Sequence, residues 1–121
     1  MESILIVDDD VNLCKILSEE LSEVGYSTYF TTNADDALIF LTKHPINLLL
    51  LDLKMPEKDG FYVLSEINKH SYSFKTIVLT AYADVKSAIE AARMGASDFI
   101  SKPYDFDELL ITIRKVLQKD S

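Results

Sequence analysis

Two kinds of apolar run alternate along the chain. Short unbroken runs, 3–7 within "SILIVD", 48–51 within "NLLLLD" and 77–79 within "KTIVLT", each stop at a polar residue. Between them apolar residues recur every three or four positions: Leu13, Ile16, Leu17, Leu21 and Val24; Ala34, Ala37, Leu38 and Leu41; Leu109, Leu110, Ile113, Val116 and Leu117. The first kind predicts strands of a parallel sheet covered on both faces, and the second predicts amphipathic helices with a buried stripe. Leucine is a modest strand former, but Pro45 before 47–52 and Pro56 and Gly60 after it leave room for a short strand only. "YSTYFT" (26–31) alternates and is rich in β-formers, and "SDFIS" (97–101) supplies a fifth strand.

The punctuation agrees. Gly25 stops the first helix and Gly95 the one in "VKSAIEAARM", which Asp84 caps; Asn33 with Asp36 opens the second, and Asp105 with Glu108 the last. A further helix is predicted at about 60–69. Five strands alternating with five helices predict a doubly wound α/β sandwich. No repeat or linker interrupts it, so 1–121 reads as one domain.

Composition narrows the function. A chain of 121 residues, 48% hydrophobic, can bury a core without staples. Its single cysteine, Cys14, excludes an internal disulfide. No run is long enough to span a membrane and no basic leader precedes an apolar stretch, so a soluble, cytoplasmic protein is expected. The net charge of −8 argues against nucleic-acid binding by this domain. Most of the acids read as solvated surface.

Position sets a few apart. In open α/β sheets, ligands bind beyond the carboxyl ends of the strands, at the point where strand order reverses. The predicted strand ends carry Asp8 and Asp9, Asp52, Thr80 and Lys102. Singly, each has a plain structural explanation: a helix start, a turn, a β-former, a surface lysine. Jointly they place acids, a hydroxyl and a cation on one edge. Two carboxylates 4 Å apart repel by about 4 kcal/mol at an effective dielectric of 20, so such a cluster calls for a cation. All-oxygen donors favour Mg²⁺, with Ca²⁺ the alternative, although no EF-hand loop is present. His44 and His70 read as surface residues. An aspartate can also attack phosphorus, with a lysine neutralising the transferring group and a hydroxyl bonding one of its oxygens. Asp52, Lys102 and Thr80 supply those parts.

The segments "ILIVDDD", "LLLLDLKMPEKDGF", "IVLTAYA" and "GASDFISKPYDFDELL" together resemble the receiver domain of bacterial two-component response regulators, over essentially the whole chain. The resemblance implies a flavodoxin-like fold of strand order 2-1-3-4-5 and phosphotransfer from a sensor histidine kinase to Asp52. It implies Mg²⁺ held by Asp9 directly, Asp8 through water, Asp52, and the backbone carbonyl of Lys54. Thr80 and Phe99 match the family's switch pair, and Lys102-Pro103 its cis peptide. Lys54 and Tyr82 match positions that tune phosphoryl lifetime. The implied switch repacks the fourth helix (84–94), the fifth strand and the fifth helix (105–118) as an output face that includes Arg93, Phe99 and Tyr104. That face would control an effector domain or a downstream protein, with a phosphorylation-dependent homodimer compatible with it. The chain looks most like receivers attached to transcriptional activators of the nitrogen-regulator class. Catalysis would be limited to the domain's own phosphorylation and dephosphorylation. Two rivals are an aspartyl-nucleophile phosphatase or phosphotransferase, which would turn over small phosphomonoesters, and a receiver-like module that takes no phosphate, which would bind no Mg²⁺.

Overall fold

The computed structural model of the protein describes residues 1–118. Its elements are β1 (Ser3–Val7), α1 (Val11–Glu23), β2 (Ser27–Thr31), α2 (Ala34–Lys43), β3 (Leu48–Leu51), α3 (Gly60–Ile67), β4 (Lys75–Thr80), α4 (Val85–Arg93), β5 (Asp98–Ser101) and α5 (Phe106–Gln118). The strands form one parallel sheet in the order β2-β1-β3-β4-β5. The chain winds outward from β1 to β2, then crosses back to β3, so strand order reverses between β1 and β3. Val7 pairs with Leu51, so β1 and β3 end level, and Leu51 pairs with Val78, so β4 runs two residues further to Thr80.

Each apolar strand divides its side chains between two layers, as strand alternation requires. Leu5, Val7, Leu49, Leu51 and Val78 face α2, α3 and Ala91 of α4. Ile4, Ile6, Leu48, Leu50, Ile77 and Leu79 face α1 and α5. Full burial of each such side chain is worth about 1.5–3 kcal/mol. The central strands are therefore held from both sides, which makes their carboxyl ends fixed mounts.

Side-chain caps set where helices begin. Asp10, Asn33, Asp59 and Asp84 accept hydrogen bonds from the backbone N–H groups of Leu13, Asp36, Tyr62 and Ser87, and Asp105 accepts from Asp107 and Glu108. Gly25 and Gly95 follow α1 and α4 at positive φ, the left-handed turn that glycine adopts without cost from a Cβ.

The structure departs from the pattern in detail. Strand ends retract by a residue from 3–8, 26–31, 47–52 and 97–101. The third helix stops at Ile67 rather than 69, where the Asn68 N–H closes the last bond on Leu64. Ile16 and Val24 keep helical spacing but are exposed, because α1 buries only the narrow stripe Cys14, Leu17 and Leu21. Leu110 and Leu117 are half-buried, flanking a stripe of Leu109, Ile113 and Val116. β2 lies at the sheet edge, with Tyr29 and Phe30 exposed. α4 is lightly packed: it buries only Ala91 and leaves Val85 and Ile89 exposed. Its C-terminal end is tied to the end of α3, where the Asn68 side chain donates to the Met94 carbonyl at 2.8 Å. The Lys102–Pro103 peptide is cis.

Candidate functional site

The reversal between β1 and β3 opens a crevice, and the first residues beyond those strands are Asp8 and Asp52. The Asp52 N–H donates to the Val7 carbonyl at 2.9 Å, carrying the ladder one residue past β3. The Asp8 N–H reaches the Thr31 carbonyl at 3.3 Å. Both carboxylates are therefore set by sheet backbone, and they are only 2% and 5% exposed. Asp9 is exposed at the lip, and Asp10 is committed to capping α1.

After Asp52 the chain turns sharply. Lys58 N–H bonds back to the Pro56 carbonyl at 2.8 Å around Glu57, whose φ of 68° is left-handed. Gly60 then packs directly on the strand end, its N–H bonded to the Leu53 carbonyl at 2.9 Å. A Cβ there would lie 2.7 Å from the Leu53 Cα and overlap the Asp52 carbonyl oxygen. Glycine is required by this close approach, a role that the sequence concealed inside an ordinary-looking Asp59-Gly60 turn.

Lys102, just past β5, crosses the crevice. Its Nζ donates to Asp8 Oδ2 at 2.6 Å and to Asp52 Oδ2 at 3.3 Å. Burial pushes the Asp8 carboxyl above its ordinary range; the Lys102 hydrogen bond and the Asp10 N–H oppose that, and the Asp52 charge adds to it. For Lys102 burial pulls downward, but the hydrogen bonds and charges of Asp8 and Asp52 outweigh it and hold the ammonium above its ordinary value. Cys14 sits beneath, its Sγ 3.3 Å from the Asp8 carbonyl, and burial beside Asp8 and Asp10 pushes the thiol to about 11. It is a structural thiol, not a nucleophile.

Asp8, Asp9 and Asp52 each offer an oxygen within 4.8 Å of the others. Three carboxylates against one ammonium leave two formal negative charges, which one divalent cation neutralises. With oxygen donors only, the set fits a hard ion such as Mg²⁺. Lys54 borders the same space, its backbone N–H donating to Asp52 Oδ1 at 3.2 Å. The cleft measures about 600 Å³. A larger groove of about 720 Å³ lies between Phe61 and α4, but the carboxylate cluster lines the smaller one.

The other expected residues divide. Thr80 ends β4 but is fully buried, and its Oγ1 accepts from the Tyr82 N–H at 3.1 Å; Ala81, not Thr80, lines the cleft. Lys54 and Tyr82 meet at the rim, with Nζ 5.3 Å from the ring centroid. Phe99 is half-buried against the α2–α3–α4 layer. Tyr104, expected on a face formed by α4, β5 and α5, packs into the α1–α5 layer and donates its hydroxyl to Glu20 Oε1 at 2.7 Å. The reason is its place at the foot of α5, over the opposite face of the sheet. His44 and His70 are exposed and remote, His44 stacked on Phe40 and His70 tilted against Tyr72.

Among the described residues no helix is long and apolar enough to cross a membrane. Residues 4–114 match the family model for the response regulator receiver domain. The regulatory protein AtoC of Escherichia coli is 41% identical over 98% of this chain, and the transcriptional regulatory protein ZraR of Klebsiella oxytoca 39% identical over 94%. The chain spans about a quarter of each of those relatives, 26%. The response regulator TrrA of Thermotoga maritima, solved in complex with Mg²⁺ and BeF, superposes with a TM-score of 0.85 at 36% identity, covering 95% of this chain and 98% of that one.

Proposed function

Since the chain belongs to the response regulator receiver domain family, we propose that it is a phosphorylation switch in which Asp52 accepts a phosphoryl group from the phosphohistidine of a sensor histidine kinase. The observation that carries this reading is the buried Asp52 at the sheet's reversal point, bridged to Asp8 by Lys102. An Asp52 carboxylate oxygen supplies the electron pair that forms the new P–O bond. The P–N bond of the donor breaks, its pair leaves on the imidazole nitrogen, and solvent supplies a proton there. Lys102 is placed to turn its ammonium from Asp52 to the arriving phosphoryl oxygens, where preorganised charge is most effective. Asp8, Asp9 and Asp52, with the Lys54 carbonyl, would hold Mg²⁺, which when bound supplies neutralisation of the phosphoryl charge.

The readout begins at Thr80. Its hydroxyl oxygen is engaged by the Tyr82 N–H, so bonding a phosphoryl oxygen moves the β4–α4 connection. Phe99, half-buried against the layer that contains α4, follows. α4, β5 and α5 then repack as a surface for an effector domain or partner, with Arg93 on it. The relatives named as regulatory and transcriptional regulatory proteins favour transcription control as the output. Lys54 and Tyr82, joined over the rim, limit water access and set phosphoryl lifetime. The test is labelling by acetyl phosphate with Mg²⁺: the wild type takes one acid-stable, base-labile phosphoryl group per chain and Asp52→Asn takes none. Equal labelling of Asp52→Asn refutes the assignment.

A further inference from the structure

The loop from Lys102 to Asp105 must keep the Lys102 ammonium in place while everything that ammonium touches changes. In the structure it rests on Asp8 and Asp52. When Asp52 is phosphorylated to an acyl phosphate, its oxygen is no longer the same acceptor, and Lys102 has to turn to the phosphoryl group. At its start the loop is held by the Lys102 N–H bond to the Thr80 carbonyl at 3.0 Å, and Thr80 is the residue assigned to move; at its end Asp105 is fastened to the first turn of α5, three residues from the ammonium it must place. Pro103 has no N–H to offer. Nearer the lysine, one attachment to α1 involves none of the groups that change: the Tyr104 hydroxyl on Glu20, at 2.7 Å.

Resting on the phosphoacceptor reading, we propose that Tyr104 is a positioning residue for Lys102, anchoring its loop through Glu20 so that the ammonium stays over Asp52 during phosphoryl transfer. The geometry suits the task. α1 is tied to the acid cluster at its start, where the Asp10 N–H donates to Asp8 Oδ1 at 2.9 Å. Glu20 lies ten residues further along the same rigid rod, about 15 Å away. The loop is thereby fastened to α1 at one point beyond the chemistry and meets the acids at the other. Tyr104 and Glu20 are both part-buried, which strengthens a bond to a charged acceptor. Burial and Glu20 hold the phenol above its ordinary range, so it remains a donor throughout neutral pH.

The test uses acetyl phosphate, which needs no docking on α1, with wild type, Tyr104→Phe, Glu20→Leu, Glu20→Gln and the Tyr104→Phe/Glu20→Leu double variant. At saturating Mg²⁺, Tyr104→Phe and Glu20→Leu are expected to label about fivefold more slowly. Glu20→Gln, which keeps an acceptor oxygen, stays within about twofold of wild type, and the double variant is no slower than either single. Mg²⁺ affinity by calorimetry changes less than twofold in all, because the acids are untouched. Amide exchange at Lys102 in the metal-free protein speeds up in Tyr104→Phe, Glu20→Leu and the double variant, and not in Glu20→Gln. Wild-type labelling rates in Tyr104→Phe, or slowing that follows a matching loss of Mg²⁺ affinity, overturn the proposal. A wild type that takes no label overturns the phosphoacceptor reading, and this proposal with it.

Discussion

Adding one methyl group at Gly60 tests how rigidly Asp52 is mounted. The Cβ of Gly60→Ala would lie 2.7 Å from the Leu53 Cα and closer still to the Asp52 carbonyl oxygen. Ordinary carbon–carbon contact is about 3.5–4.0 Å, so roughly 1 Å must be found. Both obstructing atoms are main chain, and neither can rotate away as a flexible side chain would. The strand end is pinned by Asp52 N–H to Val7 and the helix start by Gly60 N–H to Leu53, each at 2.9 Å. Overpacking costs about 1–3 kcal/mol, and alanine's better helix propensity offsets less than about 1 of it. A net loss of about 1–2 kcal/mol lowers the melting temperature of a domain this size by roughly 4–8 °C. The same displacement misplaces Asp52, the proposed nucleophile, so acetyl phosphate labelling should slow about tenfold or more. Gly25→Ala is the control: at φ 106° it strains the backbone, with nothing within 4 Å of the new Cβ. It should lower the melting temperature yet label at the wild-type rate. If Gly60→Ala melts within about 1 °C of wild type and labels normally, the strand end is not the fixed mount described here.

Removing the ammonium by Lys102→Met leaves Asp8 and Asp52 buried together without a counter-charge. Urea denaturation of the metal-free protein should show a loss of about 2 kcal/mol, largely recovered with Mg²⁺, and an unchanged midpoint would contradict it. Asp8 is held above its ordinary 3.8, so the folded state keeps a proton at pH values where the unfolded state has released it. Metal-free stability from this group is therefore greatest below 3.8 and falls as pH rises through the window up to the raised value. Asp8→Asn should flatten that slope in urea midpoints, whereas a slope of the opposite sign would show the shift to be downward. Lys54→Ala and Tyr82→Ala should each shorten phosphoryl half-life by about threefold, with the double variant no shorter-lived than the faster single, if their contact acts as one unit. Additive effects would show that they act separately.

Much of this architecture was legible in the residue order. The three unbroken apolar runs are the three strands buried on both faces, and their polar stops are Asp8, Asp52 and Thr80. Asp84, Asn33 and Asp105 cap the helices that their spacing announced, because a cap is a local interaction. What needed coordinates was tertiary. Ile16 and Val24 have the spacing of core residues, but how wide a stripe α1 buries depends on neighbours far along the chain. Thr80 ends its strand as expected, yet only the folded loop shows its hydroxyl occupied by Tyr82. Gly60's necessity comes from packing against Asp52 and Leu53, and Tyr104's direction from which side of the sheet α5 covers. Neither leaves a periodic trace.

α4 is fastened unequally. Asn68 pins its far end at Met94, while its near end, beside the cleft, carries the exposed Val85 and only the Asp84 cap. Burying a single side chain completely, it gains little from the native state and sits at the low end of local unfolding energies. Such a helix is a lever with its pivot remote from the load. In the proposed switch a displaced conformation of α4 gives up little buried surface, so little free energy separates it from the resting one. Modification at the cleft then needs to change only the fraction of time spent there.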